Sequence, residues 1–119
     1  MSQISLQEAV DLLQKFASER IPLRAMLASP SGARAVVPGF VDSFTRETGL
    51  VVSVSGPPID VFRGYIAVRP FDRPCDFTYG EERELPEEVR QSLSPEHGKS
   101  VLVIRFLDSG EVFTLFFTI

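Results

Sequence analysis

Ala9, Val10, Leu13, Phe16 and Ala17 recur three and four residues apart, which sets them on one stripe of a helix. Ser5 stands three residues before Glu8, the spacing of a capping box, and Pro22 lies just past Arg20, where a helix should stop. The pattern predicts an amphipathic helix over about residues 5–20 whose apolar stripe docks on a sheet. Beyond Pro22 the signals change to those of strands. PLRAMLAS, ARAVVPGFVDSF, LVVSVS, VFRGYIAVR, SVLVIRFL and EVFTLFFTI read as six short strands. The second is broken at Pro38 and Gly39, where a bend or bulge would let a sheet curl. The last two flank DSG, a tight hairpin with Gly110 where positive φ is needed. PFDRPCDFTYG reads as a turn-rich connection, and PEEVRQSL as a short helix opened by Pro86 with Glu87 and Glu88 at its positive end.

The final strand raises a question of its own. Phe113, Leu115, Phe117 and Ile119 share one face, while Val112, Thr114, Phe116 and Thr118 share the other. A strand so apolar on both faces is a poor solvated edge. It is expected either to close the sheet within the chain or to pair across a subunit interface. Together these elements predict a mainly β fold with an N-terminal α-helix: a small curled β-barrel of five to six strands. The expected organisation is a single domain, 1–119, with barrel strands over about 22–119 and an acidic insertion at about 76–98.

Composition narrows the function more than the fold. A chain of 119 residues can bury one core, and ten Phe with no Trp point to a compact, Phe-filled interior. No segment approaches the roughly 20 apolar residues of a membrane span, and no basic, then apolar leader opens the chain, so a cytoplasmic protein with no membrane partner is expected. Net charge is −4, against a broad nucleic-acid face. Residues 76–96 hold seven acids against Arg83 and Arg90, which leaves that stretch at −5 and the rest of the chain at +1. Ten of the twelve basic residues are Arg, suited to forked contacts with phosphate or carboxylate, so a local anion site is allowed. One Cys (Cys75) and one His (His97) make no zinc site, and His97 lacks an identifiable nucleophile or orienting partner. Cys75 reads as a small buried hydrophobe and His97 as a loop residue. There is no phosphate loop or dinucleotide fingerprint. The expectation is a protein without cofactor, metal or catalysis.

Two stretches resemble known families. GFVDSFTRETGLVV is similar to the first signature of Sm-like proteins, SH3-type small barrels with a bent strand, a tight turn and a return strand. Gly39, Val41, Phe44, Leu50, Val51 and Val52 fall on its Gly and apolar positions without a gap. VFRGYIAV resembles the second signature, with Arg63 and Gly64 as its Arg-Gly pair, and the leading helix also looks like that fold. The signature's Asp and Asn are Thr45 and Gly49 here, IDVF is short for the strand before the Arg-Gly pair, and about fifty residues follow the pair. The resemblance spans about residues 5–68. It implies a non-catalytic barrel that self-assembles through strand edges into a homo-oligomer. RNA is the partner it implies, with Thr45, Arg46, Gly49, Arg63 and Gly64 as the nucleic-acid-binding candidates.

The second resemblance is in RIPLR, where Arg20 and Arg24 stand four apart ahead of a strand, as in the R-x-x-x-R of PilZ domains, barrels that bind cyclic di-GMP. Those domains carry D-x-S-x-x-G roughly twenty residues later; here DSFTRETG has Asp42, Ser43 and Gly49 at a different spacing. This resemblance implies a PilZ-like, or degenerate PilZ-like, barrel with Arg20 and Arg24 as the clamp for a cyclic dinucleotide, or one acting on a protein partner. Without the family, the same two residues read as a helix-terminal Arg and an outward-facing strand Arg. A third reading makes the acidic segment 76–96, with Glu81, Glu82, Glu84, Glu87 and Glu88, a protein–protein contact surface.

Overall fold

The computed structural model describes residues 2–43, 52–55, 65–68, 74–85, 87 and 100–117. These form α1 (Leu6–Ser18) and eight strands: β1 (Ser2–Ile4), β2 (Leu23–Ala28), β3 (Arg34–Ser43), β4 (Val52–Ser55), β5 (Tyr65–Val68), β6 (Cys75–Glu81), β7 (Ser100–Phe106) and β8 (Val112–Phe117). The fold is mainly β with one helix near the N-terminus. Among the described residues all strand pairings are antiparallel, in the order β1-β6-β7-β8-β2-β3-β4-β5.

Each of the six predicted strands has its counterpart; β1 and β6 are additions. Cys75–Glu81 is a strand paired with β7 along its whole length, not a turn-rich connection. The stretch alternates Cys75, Phe77 and Tyr79 with Asp76, Thr78 and Gly80. Phe77 is buried, and Cys75 and Tyr79 pack against the same core. Burial of that face outweighs the turn-forming residues just upstream. The acidic stretch therefore begins inside the sheet, and only after Glu81 does the chain leave it, through a 3-10 turn at Glu82–Glu84. The predicted helix at PEEVRQSL lies outside the described residues.

The helix forms as its spacing required. Ser5 Oγ accepts from the Glu8 amide at 3.1 Å while the Ser5 amide donates to Glu8 Oε1 at 3.2 Å, so the capping box is complete. Ala9, Leu13 and Phe16 are buried on one sheet face with Phe113, Leu115 and Phe117 of β8. The rings of Phe16 and Phe117 lie tilted at 4.5 Å between centroids.

β8 resolves the question of the sticky strand. From Val112 to Phe117 it pairs with β2 on one side, and on the other with β7 from Arg105 to Ser100. Both of its backbone edges are used within the chain. Of its two faces, Phe113, Leu115 and Phe117 meet the helix-covered core; Thr114 and Phe116 are buried on the other side, where Phe116 clusters with Met26, Leu85, Val101 and Val103.

β3 changes partner where the sequence signals a bend. Arg34 to Gly39 pair with β2, and from Phe40 onward the strand pairs with β4, with a register shift between Val41 and Ser43. The β7–β8 hairpin closes with Gly110 at φ 77°, its amide donating to the Phe106 carbonyl at 2.9 Å. Among the described residues no helix is long and apolar enough to cross a membrane.

Candidate functional site

The sheet face opposite the helix carries most of the described positive charge. The pairings align its side chains in cross-strand rows. Pro38, Arg24, Phe116, Val101 and Gly80 form one row, from β3 across to β6. Val36, Met26, Thr114, Val103 and Thr78 form the next, and Arg34, Ala28, Val112, Arg105 and Asp76 the third. Side chains in one row are close neighbours, because facing residues on paired strands have their Cβ atoms about 5 Å apart. Three of the five described arginines project from these rows.

A fourth, Arg20, reaches the same face from the end of the helix. Glu19 caps α1 and its amide donates to the Lys15 carbonyl at 3.0 Å; the Ile21 amide donates back to the Phe16 carbonyl at 3.2 Å. That second bond is the long one of a Schellman-type ending, and Ile21 packs on the core that holds Phe16. The geometry needs a left-handed residue between them. Arg20 supplies it at φ 47°, where glycine is usual, and is the one non-glycine with positive φ among the described residues. Its guanidinium lies over the Phe40 ring, 4.7 Å from the centroid. Phe40 follows Val36 and Pro38 on the same side of β3, so the stack sits beyond the Arg24 row.

The two PilZ-like arginines therefore share one end of one face: Arg24 is flanked by Pro38 and Phe116, and Arg20 is held over Phe40. Thr45, Arg46, Gly49, Arg63 and Gly64 lie outside the described residues, as do His97 and Glu88. In the acidic segment, Glu81 forms an ion pair with Arg83, and the Glu81 amide donates to the Glu84 carboxylate at 2.8 Å. That donated bond is the main reason the Glu84 carboxyl is held below the ordinary glutamate range. Cys75 is half-buried against the core, and among the described residues no three His, Cys, Asp or Glu side chains come together as metal ligands would.

No local pattern in the sequence marks Phe40, Arg34 and Arg105 as neighbours on this face. Alternation along each strand gives the side on which a residue lies. The rows depend on register between strands distant in the chain, which no local pattern records. No family model matches the chain, and no significant similarity is found to a curated protein or to a solved structure.

Proposed function

We propose that this chain is a non-catalytic cytoplasmic binding module that takes a phosphate-bearing nucleotide at the Arg20–Arg24 end of the sheet face opposite the helix. The observation that carries the reading is Arg20 itself. A left-handed backbone is unfavourable for a residue with a side chain, and glycine would serve the helix end as well. Keeping an arginine there, with its guanidinium stacked on Phe40, favours a role for the side chain. A stacked guanidinium keeps its edge donors free of the ring, and Arg24 on the neighbouring strand adds a second fork for phosphate oxygens or a guanine edge. This is the chemistry implied by the PilZ resemblance.

The test is calorimetric titration of the full chain with cyclic di-GMP. Saturable binding that is weakened about tenfold or more by either Arg20→Ala or Arg24→Gln is expected. No heat with the unaltered chain, or heat indifferent to both substitutions, overturns the nucleotide reading.

A second reading, an Sm-like barrel that binds RNA through Thr45, Arg46, Gly49, Arg63 and Gly64, is favoured by one feature. β3 changes partner at Pro38–Gly39 and continues into an antiparallel pair with β4, as the bent strand of that signature would. Among the described strands β1 and β5 stand at the ends of the strand order and β8 is paired on both sides, so self-assembly in this reading would use β1 or β5. Binding of oligouridylate that Arg46→Ala with Arg63→Ala abolishes would select this reading over the first.

A further inference from the structure

Arg24 and Arg20 reach the same end of the sheet face with unequal support. Arg24 stands within β2, half-buried, facing Pro38 of β3 on one side and Phe116 of β8 on the other. Its backbone is fixed by two strand pairings, and its side chain leaves the sheet between two apolar neighbours. Arg20 has neither advantage. It is exposed, on the link between α1 and β2, where an arginine side chain left to itself spreads over many rotamers. Ordering such a side chain only when a ligand arrives costs about twofold to tenfold in affinity.

Phe40 is what holds Arg20. β3 is paired with β2 as far as Gly39, which faces Leu23, and with β4 from Phe40, which faces Ser55. Phe40 is therefore anchored by its own pairing, and its half-buried ring stands just past the point where β2 begins. It is also the diagonal neighbour of Arg24 across the β2–β3 pair, at about 7–8 Å between backbones. From the other direction, the left-handed turn at Arg20 (φ 47°) lies three residues ahead of Leu23 and brings the guanidinium over that ring, 4.7 Å from its centroid.

We infer that Phe40 is a positioning residue for the anion clamp. By holding one face of the Arg20 guanidinium it fixes the edge donors beside Arg24, so that both forks are set before the ligand arrives. The inference rests on the nucleotide reading of this end of the face, and it adds the residue that orients Arg20 there. The clamp then recognises its ligand by a planar fork held in place, not by positive charge alone. Arg20→Lys keeps the charge and the attraction to the ring but loses the fork, so it should bind as weakly as Arg20→Ala.

Two measurements on the full chain test this, and the first needs no ligand. In the free protein the Arg20 Hδ and Hε resonances should lie upfield of ordinary arginine positions, shifted by the ring current of Phe40, and Phe40→Leu should return them. Ordinary positions in the parent would overturn the positioning role whatever the ligand. The second is calorimetric titration with cyclic di-GMP. Phe40→Leu should weaken binding about fivefold to tenfold, whereas Phe40→Trp, whose ring attracts cations best, should stay within about twofold of the parent. In the Arg20→Ala background Phe40→Leu should have no further effect, because the ring acts through Arg20. Additive losses in that double variant, or parent-like binding by Phe40→Leu, would overturn the inference. The chain has no Trp, so Phe40→Trp also supplies a single indole, whose emission should change along the calorimetric isotherm. The two claims fail differently: binding abolished by Arg24→Gln yet indifferent to Phe40→Leu removes only the positioning role, while no heat from the parent removes the nucleotide reading and the clamp with it.

Discussion

Arg20 sets two small energies against each other, and substitution can separate them. The left-handed backbone costs a residue bearing a Cβ about 1 kcal/mol relative to glycine. A guanidinium stacked on a half-buried aromatic ring such as Phe40 returns about 0.5–1 kcal/mol. Arg20→Ala keeps the cost and loses the stack, so it should lower unfolding free energy by about 0.5–1 kcal/mol. Arg20→Gly relieves the one and loses the other, and should stay within about 0.5 kcal/mol of the parent. Urea unfolding of both variants is the measurement; an alanine variant more stable than the glycine one would contradict the account. Gly110 is a sterner case. Besides its φ of 77°, a Cβ there would lie 3.0 Å from Pro30 Cγ, in the neighbouring β2–β3 turn. Gly110→Ala should therefore cost about 1–2 kcal/mol, and Pro30→Ala in the same chain should recover part of that loss. A purely additive double variant would mean that the backbone angle alone carries the cost.

At the scale of elements, the helix holds one face of the sheet closed. Phe16 is fully buried against Phe117, so Phe16→Ala should cost about 3–5 kcal/mol, whereas Ser5→Ala, which removes only the cap, should cost about 1 kcal/mol. Thermal unfolding that ranks them the other way would mean that the helix is not docked as described. The 3-10 turn after β6 has a signature in pH. Its Glu84 carboxyl is held below the ordinary glutamate value of 4.5, first by the Glu81 amide. Because the folded value lies below the unfolded one, the contribution is present at neutral pH and is lost as pH falls below 4.5 through the folded value. Glu84→Gln should flatten the loss of stability on that acid side, and an unchanged acid limb would contradict the bond. These elements were unequally legible in the sequence. The helix was readable because its cap and its stripe are local patterns. β6 was hidden because the prolines and aspartates at 70–76 signal turns, and its inward Cys75, Phe77 and Tyr79 gain their meaning only from β7, more than twenty residues on. β1 is three residues long, too short for any periodicity to show.

For the whole molecule, β8 is the join. It links β1, β6 and β7 on one side to β2, β3, β4 and β5 on the other. Hydrogen exchange should find the amides of Val112–Phe117 among the most protected in the chain, at rates set by global unfolding. Rapid exchange there would contradict the central placement. That strand was legible in part: its alternation gave both faces correctly for 112–117, but only the pairing distinguishes a closing strand from an interface. The candidate face was less legible still. Arg20 and Arg24 stood out by spacing, whereas their company with Phe40, Pro38 and Phe116 comes from strands far apart in sequence. The proposed nucleotide site lies on the sheet face opposite the helix, at its Arg20–Arg24 end. Amide NMR of the full chain titrated with cyclic di-GMP tests that most directly. Shifts should gather at Arg20, Arg24, Phe40 and Phe116 and spare the outer helix positions Gln7, Asp11 and Gln14. Shifts centred on the helix, or none at saturating ligand, would contradict it.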